Sequence, residues 1–520
     1  MLPHIVMLLG DDLGWANIGW HRDSSFKEVV TPNLDWLVAQ GIELDQMYAF
    51  KYCSPSRSAF QTGRNPIHVN VVNSATTQYN PQDPESGFAG IPTNMTTIAE
   101  KLSEAGYRTH AVGKWDCGMA TDRHTPMGRG FETWLGYFGH CNDYWSEIDK
   151  CGMQNCGDVS MVDLWEQNRS APNPSHPAAH LNNSQSCSQQ HQEGCTFEDD
   201  LFLQRALRIV RSHNGSTPLF LYWAMHACHG PRQVPKWMYN HFAFIEYAPR
   251  RMYAALASYL DQMVGQLVAE LQAVGLYETS LVVFASDNGG DGEANNHPLR
   301  GAKFSNWQGG IRVPAFVSGG HLPVSRRGVK LDGMAALWDL YATFASLAGL
   351  SPAQASADPA AAAAGLAPID SINQWGYWSG NSAQPPRQEL ALGGALGNSH
   401  GASAHHLQTT VEGLISKELK LLLGRFDEAI WTGPQFPNAT SNASDWETAM
   451  DCTRGCLFNL TSDPTEHIDI ASAHPATVAR MIARIGAINA TGFSPVRGSP
   501  DLHACAVAVK QYGGFWGPFA

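Results

Sequence analysis

The sequence predicts an α/β protein with a large, mostly parallel sheet covered by helices and a smaller α+β domain at the carboxyl end. Apolar strands alternate with helices of ten or more residues through the first two-thirds of the chain, which is typical of a parallel sheet buried on both faces. The 520 residues also exceed the usual size of one hydrophobic core. Near residue 400 the pattern changes to short strands and turns, so we expect one domain over residues 1–400 and a second over 401–520.

Most elements of the predicted large domain follow from hydrophobic runs and their end signals. Thr31 can cap a helix that has Pro32 at its first position and stops at Gly41. The Ala- and Pro-rich stretch 351–368 predicts a surface loop, and residues 414–424 look like one strand of the small domain. The remaining predicted strands are His4–Gly10, Arg108–Gly113, Leu219–Ala224 and 281–285, and the remaining predicted helices are 96–105, 200–212 and 251–274.

Composition limits the classes of partner. The formal net charge is −13, which argues against a nucleic-acid or anionic-membrane partner. An anionic substrate would therefore need a locally basic pocket in an acidic protein. No run of about 18 apolar residues occurs in the sequence, so we predict no membrane span.

Two features favour the secretory route, with an extracellular or lysosome-like destination. The chain has eleven cysteines, and the ten that remain when Cys53 is set aside suit disulfides, with Cys187/Cys195 and Cys452/Cys456 as local pairs. Met1 to Leu9 is already strand-like, so we expect that a signal peptide was cleaved or is missing; a cytosolic protein with free thiols is the alternative. Asn-x-Ser/Thr acceptors are enriched and occur at Asn94, Asn168, Asn182, Asn214, Asn438, Asn442, Asn459 and Asn489.

Acidic and amide side chains follow two of the predicted strands. Asp11-Asp12 comes after the first strand, and Asp287-Asn288 comes after the strand at 281–285. Either pair alone could be an ordinary turn. Since both lie at the carboxyl edge of one sheet, they predict four oxygen-bearing ligands around one point. Such a set favours Ca²⁺ or Mg²⁺ over zinc, and its irregularity favours Ca²⁺.

Cys53 lies in a turn before a predicted helix. Pro55 suits the first turn of that helix, which runs through Phe60 to Thr62 and ends at Gly63. Cys53 is thereby expected at a helix N-terminus, where backbone N–H groups favour an anion. The alternative is a structural or disulfide-bonded cysteine.

Several motifs, in order, resemble those of the type I sulfatases, with the closest likeness to arylsulfatase B. The resemblance implies an alkaline-phosphatase-like fold, cleavage of sulfate monoesters, and oxidation of the cysteine to formylglycine by a formylglycine-generating enzyme. It also implies an aryl sulfate or a sulfated carbohydrate as substrate. The motifs are Cys53-Ser54-Pro55-Ser56-Arg57 with Thr62-Gly63-Arg64, Gly113-Lys114-Trp115, His229-Gly230-Pro231, Ser286-Asp287-Asn288-Gly289-Gly290, Pro298-Leu299-Arg300-Gly301-Ala302-Lys303 and Gly309-Gly310-Ile311-Arg312-Val313-Pro314.

The resemblance assigns a role to each site residue. Arg57 would steady the hydrated aldehyde at position 53, Lys114 and Lys303 would hold sulfate oxygens, and His229 would protonate the leaving group. His226 is the competing candidate for that last role. The ligands of one Ca²⁺ would be Asp11, Asp12, the formylglycine made from Cys53, Asp287 and Asn288.

One position departs from the family pattern. Asp116 stands where the family usually has a histidine, two residues after Lys114. A carboxylate is also a base, so we expect Asp116 to take over that histidine's proton-accepting role. Two alternatives remain: a catalytically silent binding protein with this fold, and a phosphatase or phosphodiesterase of the same superfamily. The phosphatase would need two zinc ions and further Asp/His ligands.

Overall fold

The computed structural model describes residues 2–23, 25–73, 75–151, 156–157, 159–178, 186–396, 408–438, 440–441 and 448–520. The strands are β1 His4–Gly10, β2 Ile42–Leu44, β3 Met47–Tyr48, β4 Gln78–Tyr79, β5 Arg108–Gly113, β6 Thr133–Gly136, β7 Trp165–Asn168, β8 Ser175–Pro177, β9 Leu219–Ala224, β10 Ser280–Ser286, β11 Ala315–Ser318, β12 Val329–Leu331, β13 Ala335–Ala336, β14 Glu389–Leu396, β15 Gln408–Ser416, β16 Leu419–Phe426, β17 Met450–Asn459 and β18 Ser499–Pro500. The helices are α1 Pro32–Ala39, α2 Cys53–Thr62, α3 Ile98–Glu104, α4 Glu198–Ser212, α5 Lys236–His241, α6 Ala248–Ala273, α7 Gln308–Ile311, α8 Asp339–Leu347, α9 Pro352–Ser356, α10 Pro359–Ala363, α11 Trp375–Trp378, α12 Pro475–Asn489 and α13 Leu502–Tyr512.

A ten-stranded sheet forms the centre of the molecule, in the order β12-β2-β11-β10-β1-β9-β5-β6-β7-β8. Its five central strands, from β10 to β6, are parallel, and β11, β7 and β8 pair antiparallel with their neighbours. Gly10 at the end of β1 is in register with Ser286 of β10, and Gly113 of β5 is in register with Ala224 of β9. The carboxyl ends of these strands therefore meet at one edge of the sheet.

Both faces of this sheet are buried. Along β1, Met7 and Leu9 belong to one apolar core and Val6 and Leu8 to the other, because successive side chains of a strand point to opposite faces. Helices α1, α4 and α5 pack against α6, and helices α2 and α3 pack against α8. The predicted fold class, a mostly parallel sheet between helices with a small second sheet, is confirmed.

The predicted elements of the large domain are present, with ends shifted by a few residues. Strands β1, β5 and β9 have the predicted bounds, and α4 and α6 begin two or three residues earlier than predicted. The surface loop predicted over 351–368 is wrong in part, since it contains α9 and α10. Ser351 and Asp358 cap these short helices with their side chains, and each helix has proline in its first turn.

The small sheet consists of β14, β15, β16 and β17, all antiparallel. The single strand predicted over 414–424 is wrong: the chain turns at Lys417, where φ is +53°, and forms the hairpin β15–β16. The boundary near residue 400 stays a prediction. Strand β14 precedes it, and α13 returns to the large core, where Ala504 and Val507 are buried.

Four disulfides join Cys141–Cys151, Cys156–Cys505, Cys187–Cys195 and Cys452–Cys456. The two local pairs predicted from spacing are confirmed. The expectation that all ten other cysteines are paired is wrong, since Cys117 and Cys228 are also unpaired, and both are buried. Within the described ranges, no helix has the length and apolar character needed to cross a bilayer.

Candidate active site

The sheet brings the two predicted acidic pairs together at its carboxyl edge. Asp12 N–H donates to Asp287 Oδ1 at 3.3 Å, and Asn288 Nδ2 donates to Asp12 Oδ1 at 2.7 Å. All four side chains of the two pairs are at most 1% exposed. Asp12 has φ +55°, a backbone conformation that aspartate tolerates better than most residues. The register of two neighbouring parallel strands thus places three carboxyl groups and one amide around one buried point.

Helix α2 places Cys53 and Arg57 against these acids. Cys53 is the first residue of the helix, and its Sγ lies 3.6 Å from Asp11 Oδ1. Arg57, one turn later, donates to Asp287 Oδ2 through Nε at 3.0 Å and through a terminal nitrogen at 2.8 Å. Burial raises the pKa of the Cys53 thiol well above its ordinary value, and the nearby Lys114 and Lys303 only partly oppose this. Unmodified Cys53 is therefore a neutral thiol, not a ready nucleophile.

Two buried lysines also face the acids, one directly after β5 and one in the loop between β10 and α7. Lys114 follows β5, and its Nζ lies 2.7 Å from Asp11 Oδ2. Lys303 Nζ lies 2.7 Å from Asp12 Oδ1 and 2.9 Å from Oδ2. Burial opposes the charge of both lysines, but Asp11 and Asp12 outweigh it and raise the pKa of Lys114 and Lys303 respectively. Both ammonium groups therefore stay charged at neutral pH.

His229 lies at the rim of the site, whereas His226 is part of the core. His229 Nε2 is 3.7 Å from Asp12 Oδ2, and its side chain is 12% exposed. Burial, with the charges of Lys303 and Lys114, lowers the pKa of His229 well below its ordinary value. His226 is fully buried, contacts Glu198 Oε2 through Nδ1 at 2.7 Å and stacks on Tyr144. These contacts place His226 in the protein interior.

Asp116 has a neighbour that the sequence did not reveal. Asp116 Oδ1 accepts a hydrogen bond from Ser54 Oγ at 2.8 Å and lies 2.8 Å from Nδ1 of His140. Burial opposes the charge of Asp116, but His140 and Lys114 outweigh it, so the pKa of Asp116 lies below its usual value. No motif marks His140, which is 24 residues further along the chain; a histidine followed by a cysteine in a Gly-rich turn was its only signal.

The acidic cluster fits a hard divalent cation. Burial and the neighbouring Asp11 raise the pKa of Asp287 to about 7, which shows how crowded the carboxyl groups are without a balancing ion. Asn288 Oδ1 is buried and has no hydrogen-bond partner among the described residues. An amide oxygen beside several carboxylates is the donor set that Ca²⁺ prefers. Ligand atoms of Asp11, Asp12, Cys53 and His229 also lie within 4.8 Å of one another.

Comparison with known proteins decides between the possible chemistries of this site. The sulfatase family matches residues 3–350. This chain belongs to the sulfatase family. Arylsulfatase J of Mus musculus is 31% identical to this sulfatase, in a match that covers 99% of this chain and 80% of the relative. N-acetylgalactosamine-6-sulfatase of Rattus norvegicus is also 31% identical, and that match covers 67% of this chain and 63% of the relative.

A solved structure supports the fold independently. Ps i-CgsB in complex with k-i-k-neocarrahexaose superposes with a TM-score of 0.70 and 24% identity, covering 95% of this chain and 94% of the other. The chain is therefore a sulfuric ester hydrolase of alkaline-phosphatase-like fold. The special likeness to arylsulfatase B stays a prediction.

Proposed function

We propose that this sulfatase removes sulfate from a sulfated carbohydrate, using a formylglycine made from Cys53 and one Ca²⁺. The observation that carries the proposal is the position of Cys53: it begins α2, its Sγ lies 3.6 Å from Asp11 Oδ1, and it senses the positive charges of the two buried lysines. A thiol with a raised pKa is a weak nucleophile there, whereas a hydrated aldehyde offers two hydroxyl groups. A formylglycine-generating enzyme would supply the oxidation during maturation.

The chain's own residues would then divide the reaction among them. One hydroxyl of the hydrated residue 53 attacks sulfur and gives its proton to Asp11, whose Oδ1 lies 3.6 Å from Cys53 Sγ, and the bond from sulfur to the leaving oxygen breaks. His229 gives that oxygen a proton. Burial, with the charges of Lys303 and Lys114, lowers the pKa of His229, and a sulfate group held by the two lysines would offset their part of that shift. Arg57 holds Asp287 and stabilises the negative charge around the nucleophile.

The metal would be held by Asp11, Asp12, Asp287 and Asn288, together with the modified residue 53. It would supply positive charge that neutralises the sulfuryl oxygens. With the acids engaged in this way, Lys114 and Lys303 can pair with sulfate oxygens in place of carboxylates. This explains why a site with three buried carboxylates can accept an anionic substrate.

Release of sulfate regenerates the aldehyde. The second hydroxyl of the hydrate loses its proton, the carbon–oxygen double bond forms again, and the bond to the sulfate oxygen breaks. We assign acceptance of that proton to Asp116, which is 3% exposed and lies beside Ser54, the neighbour of residue 53. The family histidine would thus be replaced by a carboxylate that stays ionised to lower pH.

The substrate class and the compartment rest on different observations. The name N-acetylgalactosamine-6-sulfatase points to a sulfated hexosamine, and the name arylsulfatase J points to aryl sulfates as workable model substrates.

Four disulfides support an oxidising, secretory compartment. Among the described glycosylation acceptors, Asn214 is exposed; Asn182 and Asn442 lie outside the described residues.

The deciding experiment is the mass of the peptide that contains residue 53, measured on protein from a secretory host. The peptide should be lighter by the difference between a thiol and an aldehyde, and only modified protein should hydrolyse a chromogenic aryl sulfate. Cys53→Ala should abolish turnover, while His503→Gln, at an exposed position on α13, should leave it unchanged. Full activity with an unmodified thiol would refute the formylglycine, and hydrolysis of phosphate esters alone would favour the phosphatase alternative.

A further inference from the structure

The chain between β6 and the Cys141–Cys151 disulfide runs directly beside the segment that carries Asp116. Trp115 N–H donates to Tyr137 O at 2.9 Å, and Asp116 N–H donates to Phe138 O at 3.2 Å. These two hydrogen bonds extend the pairing of β5 and β6 past the ends of both strands. His140 follows two residues later and is thereby carried to the side chain of Asp116.

The loop that carries His140 is anchored on both sides. Asp163 accepts the backbone N–H groups of Phe138 and Gly139, one on each carboxyl oxygen, at 2.8 Å. On the other side, the Cys141–Cys151 disulfide begins at the next residue. A histidine between two such anchors has little freedom, so its contact with Asp116 is a built feature of the loop and not a chance surface pair.

The two oxygens of Asp116 are used differently. Oδ1 is engaged by Ser54 Oγ and by His140 Nδ1, each at 2.8 Å. Oδ2 is buried and has no hydrogen-bond partner among the described residues. A buried carboxylate with one oxygen held and the other unpartnered is costly unless a further donor arrives. Ser54 directly follows residue 53, so its hydrogen bond to Oδ1 connects the Asp116 carboxylate to the segment that carries the nucleophile.

We propose that His140 is a positioning residue: with Ser54 it holds Oδ1 of Asp116, which leaves Oδ2 free to take the proton released when sulfate departs. The inference rests on the proposed function and goes beyond it. The family's single histidine is replaced here by two side chains from separate segments, a carboxylate after β5 and an imidazole after β6. Because Asp116 is ionised, His140 Nδ1 carries the hydrogen and donates it.

The charges around Asp116 agree with this division of roles. Besides His140, the groups that face it are the cations Lys114 and Arg57. The negative charge of Asp116 also contributes to the raised pKa of Asp163 and to the raised pKa of the Cys117 thiol. Among these groups, His140 is in direct contact with Asp116, with Nδ1 2.8 Å from Oδ1. The side chain of His140 is 15% exposed and that of Asp116 is 2% exposed, so His140 is the partner nearer to solvent.

Three substitutions of His140 distinguish a side chain that orients Asp116 from one that only occupies volume beside it. In His140→Asn the amide nitrogen takes the place of Nδ1, so the hydrogen bond to Oδ1 is retained although the side chain is smaller. In His140→Gln the amide nitrogen takes the place of Nε2, so the volume is better matched but the bond is lost. His140→Ala removes both. His503→Gln, on the exposed face of α13, is the control for loss of a histidine.

The readout is pre-steady-state release of the phenol from a chromogenic aryl sulfate by formylglycine-containing enzyme, with the mass of the enzyme measured during turnover. Positioning of Asp116 affects only the release of sulfate. His140→Ala and His140→Gln should therefore release the first equivalent of phenol at the wild-type rate, with the wild-type dependence of that rate on substrate concentration. They should slow steady turnover by about 10²-fold, the lower end of what an acid–base group contributes, and accumulate sulfated enzyme. His140→Asn should recover most of the lost rate.

The possible outcomes are distinct. Recovery by Asn but not by Gln supports the inference. Recovery by Gln but not by Asn shows that His140 only fills space and overturns it, as does wild-type turnover in all three variants. If wild-type enzyme that carries formylglycine does not hydrolyse the aryl sulfate at all, the proposed function itself fails, independently of any result at His140.

Discussion

At the scale of single residues, the site is a set of buried charges that balance in pairs. Lys114 lies against Asp11, Lys303 against Asp12 and Arg57 against Asp287, at distances of 2.7 to 2.8 Å. Removing one partner of a buried ion pair is more costly than removing both, because the remaining charge has no water to stabilise it. Single substitutions here therefore report on stability as well as on chemistry, and binding or mass measurements are needed beside rates.

Asp116 offers a prediction at this scale that concerns pH dependence. A base must be unprotonated to act, and the pKa of Asp116 lies below its usual value, so sulfate release should persist far into the acidic range. Asp116→Asn should keep metal and substrate binding, accumulate sulfated enzyme and slow turnover by roughly 10²- to 10⁴-fold. Asp116→His should restore part of the rate and move the acid limb of kcat to higher pH, because the pKa of imidazole is near 6.5.

Profiles of kcat against pH for the three proteins test this prediction. Wild-type rates in Asp116→Asn would make Asp116 a bystander and require another base. His226 is then the first residue to substitute, although its ring is fully buried.

The metal can be tested at single ligands. Elemental analysis of purified protein should find one Ca²⁺ per chain, since every protein ligand offers oxygen. Asn288→Ala removes the amide whose Oδ1 has no hydrogen-bond partner among the described residues, together with the hydrogen bond from Nδ2 to Asp12, and should weaken Ca²⁺ binding. Two zinc ions per chain would contradict the assignment and revive the phosphatase alternative.

At the scale of elements, the ends of parallel strands position the acids of the site and Lys114, whereas Arg57 comes from α2 and Lys303 from the loop between β10 and α7. Gly113 ends β5 with φ +87° and is followed by Lys114, whose backbone N–H donates to Ala224 O at 3.0 Å. A Cβ at Gly113 would lie 1.9 Å from that same oxygen. The glycine is therefore required by the close approach of β5 and β9 as well as by its backbone conformation.

Gly113→Ala should lower both stability and activity. The ends of β5 and β9 must separate to admit the methyl group, which displaces Lys114 from Asp11. Gly106→Ala is a matched control, because Gly106 also has φ +87° but has nothing within 4 Å of its Cβ position. Both variants should lose about 1 kcal/mol from backbone strain, but only Gly113→Ala should lose activity beyond its loss of stability. Equal activity of the two variants, measured with their thermal unfolding, would refute this role of Gly113.

At the scale of the whole molecule, the carboxyl-terminal segment ties distant parts of the chain together. The small sheet packs against the segments on either side of α2. Leu414 of β15 shares an apolar cluster with Phe50, which precedes the helix, and with Ile67, which follows it. Helix α13 then returns to the large core, and Cys505 is bonded to Cys156 across 349 residues of sequence. The long connection restricts the unfolded chain far more than the Cys452–Cys456 bond, which spans four residues.

The two disulfides give a paired prediction. Cys156→Ala with Cys505→Ala should lower the free energy of unfolding by about 2–5 kcal/mol, and Cys452→Ala with Cys456→Ala should lower it by less, because the constraint grows with loop length. Denaturant unfolding of both double variants, with thiol counts to confirm the intended bonds, measures the difference. A larger loss from the short loop would show that local packing, not chain constraint, dominates.

The sequence by itself was sufficient for the fold class, for the bounds of β1, β5 and β9, and for the family. Hydrophobic period and strand-end chemistry are local properties, so they can be read along the chain. The family follows from the same motifs, since Cys53 to Arg57 and Asp287-Asn288 are contiguous in sequence.

Only the tertiary structure decided which side chains act together. The partnership of Asp116 with His140 depends on the pairing of β5 with β6 and on the anchoring of the following loop by Asp163, neither of which has a sequence signature. The hairpin at Lys417 and the Cys156–Cys505 bond likewise depend on contacts between distant segments. Such contacts are selected by packing and by the burial of charge, which are properties of the folded chain and not of any window of its sequence.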